Sequence, residues 1–180
     1  MKHKVLAFIL ATVALLAACR PGVASAADER TAEVGKKEVK ALLREFKGSR
    51  GYECSEVGPF LLSIMKTGMK YFDDDDDDAD NRLIMKSVKN LKGVTVADLS
   101  DCSPEVKAKF NSRMEEVFRN ASLLIETKDD DETVRIYGKT SADGRYVEDV
   151  VIYCPDDAEL TYLEGKIDID ALMEYSAEVR

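Results

Sequence analysis

The chain has 180 residues, with 26 basic and 35 acidic side chains and a formal charge of −9, a length that suits one domain. So acidic a body is repelled by phosphate backbones and by anionic lipid surfaces, so no nucleic-acid partner is expected. The only histidine is His3, at the extreme N-terminus; if the leader is removed, Ser-His-Asp and Cys-His catalysis and imidazole metal ligation go with it.

Lys2, His3 and Lys4 precede an apolar run from Val5 to Ala18 that only Thr12 interrupts. A spanning helix needs about 20 apolar residues, so this shorter run with its basic flank reads as an export signal over residues 1–18. Leu16-Ala17-Ala18-Cys19 resembles the lipobox of bacterial lipoprotein precursors, in which the thiol is acylated and the chain is then cut just before the cysteine. Leu16, Ala17 and Ala18 are the expected recognition residues and Cys19 the expected lipidation site. The rival cut is at Ala24-Ser25-Ala26, an A-x-A pattern that would release a soluble chain starting at Ala27. Processing at Cys19 leaves 24 basic and 35 acidic residues, a formal −11. Two or three acyl chains hold a protein firmly on a membrane, whereas one does so only marginally.

Residues 19–32 lack apolar periodicity and read as a flexible tether to a single domain over 33–180. A helix is expected at about 33–47, where Val39, Leu42, Leu43 and Phe46 share one face and Gly48 and Gly51 follow. A second helix is expected at about 56–72, with Ser55 as its cap and Pro59 in its first turn. Asp73–Asp78 is an unbroken acidic run, expected to be a solvated loop. An EF-hand loop starting at Asp73 would need Gly at its sixth position and Glu at its twelfth. Asp78 and Ile84 stand there, so no metal site is assigned.

Leu83–Leu99 carries a β-rich second half at Val94-Thr95-Val96. Ser103-Pro104 opens a helix striped by Val106, Phe110, Met114, Val117, Phe118 and Ala121. From Ser122 the period falls to two. Leu123–Glu126, Val134–Lys139, Arg145–Cys154 and Glu159–Leu163 read as strands, with turn chemistry at Asp129-Asp130-Asp131, Asp143-Gly144 and Pro155-Asp156-Asp157. Short connections make this an antiparallel meander. Asp168 caps a last helix, with Ile167 and Leu172 placed for a hydrophobic staple. The expected fold class is α+β, helices packed on one face of an antiparallel β-meander sheet.

Beyond Cys19 the thiols are Cys54, Cys102 and Cys154. No C-x-x-C occurs, so neither a zinc ribbon nor a thioredoxin-like motif is indicated. If an oxidising compartment forms one disulfide, Cys54 with Cys102 is the expected pair, because both lie in connections that can adjust to the required geometry. Tyr137, Tyr146, Tyr153 and Tyr162 fall on strands, where cross-strand packing is the usual reason for tyrosine.

Four stretches carry a family likeness: Gly58-Pro59-Phe60-Leu61-Leu62-Ser63-Ile64-Met65, Ser87-Val88-Lys89-Asn90-Leu91-Lys92-Gly93-Val94-Thr95-Val96, Val134-Arg135-Ile136-Tyr137 and Leu163-Glu164-Gly165-Lys166-Ile167-Asp168. Through them the chain from about Cys54 to Ala177 resembles the small bacterial envelope proteins grouped as domain of unknown function 4252. The resemblance implies a signal or lipoprotein peptide, leading helices and a closing Gly-x-Ile-Asp turn, and no catalytic or binding residues. The acidic run and the three internal cysteines depart from that pattern. The expected function is an envelope-tethered lipoprotein, a non-enzymatic binding or accessory module without cofactor. Its membrane contact is the lipid anchor, its partner an envelope protein or small ligand, and its address the outer membrane, facing the periplasm or the outside. The alternatives are a soluble periplasmic or secreted form, and a carboxylate-dependent hydrolase of envelope or extracellular polymers. Thirty-five acidic residues offer too many carboxylate pairs for one to be nominated.

Overall fold

The computed structural model describes residues 35–63, 86, 88–129 and 132–171. The elements are α1 (Lys36–Phe46), β1 (Glu53–Val57), β2 (Leu91–Asp98), α2 (Pro104–Val117), β3 (Leu123–Asp129), β4 (Glu132–Thr140), β5 (Tyr146–Cys154) and β6 (Glu159–Asp168). The strands form one six-stranded sheet in the order β1-β2-β6-β5-β4-β3, with every pairing antiparallel. The last four strands are the expected meander, and the architecture is α+β. β2 joins beside β6, with β1 outside it.

α1 forms where its apolar period requires. Val39, Leu42, Leu43 and Phe46 are all buried, and the chain leaves through Gly48 and Gly51, both at positive φ. At Gly51 a Cβ would sit 2.3 Å from the carbonyl oxygen of Asp101, so only glycine lets the two loops meet. α2 starts with Pro104 after Ser103. Phe110 meets Phe46 edge-on at 5.2 Å and Tyr153 at 6.2 Å, which ties the two helices to β5. Asn111 fixes the same joint: it accepts from the Tyr153 hydroxyl at 2.7 Å and donates to the carbonyl of Pro155 at 2.9 Å.

Both sheet faces are buried. Residues of α1 and α2 share one cluster with Ala97, Leu99, Val151, Tyr153, Leu160 and Tyr162. On the other face Val94, Ile136, Val150, Ile152, Leu163 and Ile167 form a second cluster, against which Leu62, Val88 and Ile169 pack. Adjacent residues of one strand, such as Val151 and Ile152, therefore serve opposite cores.

One expected element is corrected. The helix placed at about 56–72 with Ser55 as cap does not start there. Residues 53–57 are the edge strand β1, and Ser55 faces Val96 in its register. Helix begins at Pro59, with the Leu62 N–H donating to the Gly58 carbonyl at 3.0 Å. Pairing with β2 outweighs the short helical period at this point. The remainder of that helix from Ile64, the run Asp73–Asp78, and Leu172 of the staple lie outside the described residues. Asp168 does cap a helical turn, its Oδ1 accepting from the Ala171 N–H at 3.3 Å.

Candidate functional site: the α1 end of the sheet

The register slips in a row from β3 to β2, between Leu123 and Ile125, Tyr137 and Lys139, Glu148 and Val150, and Leu91 and Gly93. At its centre Asp149 has φ 49°, a left-handed conformation that Asp tolerates better than most residues. Its Oδ1 accepts from the Tyr162 hydroxyl at 3.1 Å and from the Gly165 N–H at 3.0 Å. Gly165 has φ 114°, and a Cβ there would lie 2.5 Å from the Asn90 carbonyl. Bulges bend a strand and re-aim its side chains. This row turns Glu164 toward α1, where Lys36 Nζ meets it at 2.7 Å. Lys40 Nζ meets Glu56 of β1 at 2.5 Å. Burial, helped by the nearby Asp149 carboxylate, pushes the Tyr162 phenol well above its ordinary range. The Glu164 carboxylate holds the Lys36 ammonium above its own.

Beside this seam runs the outer edge of the sheet. β1 pairs only with β2 among the described residues, and Glu53 to Glu56 are exposed. Phe60 and Leu61 follow, 79% and 48% exposed. Together they make a backbone edge with an apolar pair at its end, the form a surface takes when it can add an extended strand from another chain.

The thiols divide by burial. Cys54 is exposed on β1, while Cys102 and Cys154 are buried, and none of the three is in a disulfide in the structure. Burial pushes the Cys102 thiol up, which disfavours its thiolate and blunts its reactivity. Burial, reinforced by a hydrogen bond with Cys54, raises the Tyr52 phenol. Leu16, Ala17, Ala18 and Cys19 lie outside the described residues.

Among the described residues no group of three or more His, Cys, Asp or Glu side chains is arranged to hold a metal ion. No described helix is long and apolar enough to cross a membrane. The bulge row and β1 are not among the elements the sequence predicts. The signal for the bulge was an aspartate inside a β-rich run, at Asp149, where strands rarely place one.

The family model described as domain of unknown function (DUF4252) matches residues 46–175, from the end of α1 past the last described helical turn. No curated protein and no solved structure matches the chain.

Proposed function

This chain belongs to the domain of unknown function (DUF4252) family, and on that premise we propose that it is an envelope-tethered lipoprotein whose folded domain is a non-enzymatic binding or accessory module. The observation that carries the binding reading is the exposed β1 edge ending in Phe60 and Leu61. An edge of this kind recruits an extended segment of a partner protein through main-chain hydrogen bonds, and the apolar pair supplies side-chain contact. The carboxylates of the neighbouring seam are already engaged. Glu164 and Glu56 pair with lysines, and Asp149 holds the bulge. They serve the architecture of this seam. Anchoring rests on Leu16-Ala17-Ala18-Cys19, and the address that follows from it is the outer membrane.

Two measurements test the proposal. Intact mass of the protein from the membrane fraction should show a chain starting at Cys19 with acyl mass, and Cys19→Ser should abolish that form. A lipid-free chain starting at Ala27 would retire the anchor. For binding, native membranes are probed with the tethered protein and with its Phe60→Asp and Leu61→Asp variants. Both side chains are exposed, so the fold should tolerate the changes. A protein captured by the parent and lost with both variants supports the edge; an identical capture profile removes it.

A further inference from the structure

The charge of the chain is unevenly placed. Between Lys36 and Arg50 stand six cations (Lys36, Lys37, Lys40, Arg44, Lys47, Arg50) against two carboxylates, Glu38 and Glu45. At about 100° per residue, Lys36, Lys37, Lys40, Arg44 and Lys47 fall within one arc of roughly 100°. Glu38 and Glu45 lie on another flank, away from them, and Val39, Leu42, Leu43 and Phe46 occupy the buried face. Of the two acids, Glu45 is paired with Arg113 at 2.7 Å, and Glu38 accepts from the Gly35 N–H at 3.1 Å. Lys36 and Lys40 are held by Glu164 and Glu56. Lys37, Arg44, Lys47 and Arg50 are exposed and are tied to no carboxylate among the described residues.

α1 is also the first described element after the proposed anchor. Fifteen residues, 20–34, separate Cys19 from Gly35, a reach of about 50 Å at full extension. We propose that the outer face of α1 and the turn that follows it, through Lys37, Arg44, Lys47 and Arg50, dock on the anionic phospholipid surface of the membrane that carries the protein. The inference rests on the lipoprotein reading for its biological setting. A tether makes the contact intramolecular, so a weak attraction per cation suffices. The net −11 of the processed chain then sets orientation: the acidic remainder is repelled from the same surface that draws α1 in.

The test attaches the whole processed chain by an N-terminal histidine tag to a nickel-chelating lipid, so that it runs whether or not Cys19 is acylated in the cell. The vesicles are phosphatidylcholine with or without phosphatidylglycerol. Amine acylation is followed at Lys37 and Lys47 by peptide mass spectrometry, with Lys128 and Lys139 at the far side of the sheet as references. Lys37 and Lys47 should be protected about threefold or more by phosphatidylglycerol at low salt. The references should be unchanged and high salt should abolish the effect. Arg44→Glu with Lys47→Glu should remove the protection of Lys37 while leaving the near-ultraviolet circular dichroism intact. Equal rates in both vesicle types, or equal protection of Lys128 and Lys139, would overturn the docking. Absence of acyl mass on the native protein would overturn only the lipoprotein reading.

Discussion

Asp149 and Gly165 decide the geometry of the α1 end. Asp149 stands inside a strand, at positive φ, with one carboxylate oxygen accepting both the Tyr162 hydroxyl and the Gly165 N–H. Asp149→Ala removes the acceptor from two part-buried donors and leaves the left-handed conformation to a residue that resists it. The expected loss is about 2–3 kcal/mol of stability. Asp149→Asn keeps an acceptor and the tolerance for positive φ, and should cost about 1 kcal/mol or less. Urea unfolding of the two variants checks this. An Ala variant as stable as the parent would mean that backbone pairing alone holds the bulge.

At the scale of elements, the β4–β5 connection shows how a short turn is built from its own side chains. Asp143 Oδ1 accepts from the Ser141 hydroxyl at 2.5 Å and from the Arg145 N–H at 3.1 Å, and Ser141 Oγ accepts from the Tyr146 N–H at 2.9 Å. Gly144, at φ 70°, completes the reversal. The Ser141 hydroxyl first, and then the Arg145 N–H, hold the Asp143 carboxyl below its ordinary value of 3.8. A depressed folded value means that ionised Asp143 stabilises the fold above the ordinary carboxylate range, and that this contribution is lost as pH falls through the folded value. The stability gap between the parent and Asp143→Asn should therefore narrow between about pH 5 and pH 2. Denaturant midpoints measured across that range check it; a gap constant with pH would assign the turn's stability to Gly144 and the backbone. The turn was legible from Asp143-Gly144 because its bonds are local. β1 was not, because β2, its one partner among the described residues, lies more than thirty residues away.

The molecule as a whole has two cores sharing one sheet. β2, β4, β5 and β6 each place side chains in or against both clusters, so neither core can open without loosening the strands that build the other. Phe110→Ala, on the helical face, should cost about 3–5 kcal/mol, and Ile136→Val, on the opposite face, about 0.5–1.5 kcal/mol. Both should leave a single transition in which far-ultraviolet circular dichroism and tyrosine fluorescence coincide; tyrosine reports without interference because the chain lacks tryptophan. Separate transitions for the two faces would show that the cores unfold independently.

What the sequence determined alone follows from local interactions. The apolar face of α1, the start of α2 at Ser103-Pro104, the four meander strands and the Asp168 cap are each set by a period or a cap within a few residues, and each lies where that local signal predicts it. The family likeness also rests on such stretches, and the family match bears it out. Tertiary structure decided the rest. Whether residues 53–57 are helix or strand depends on a distant partner edge. The bulge row depends on register between strands, which no single strand encodes. The basic face of α1 is visible as a spacing of lysines and an arginine. Which of those cations remain available was settled only when the sheet brought Glu164 and Glu56 within reach of Lys36 and Lys40, because an ion pair needs two groups within about 4 Å in space, wherever they stand in the chain.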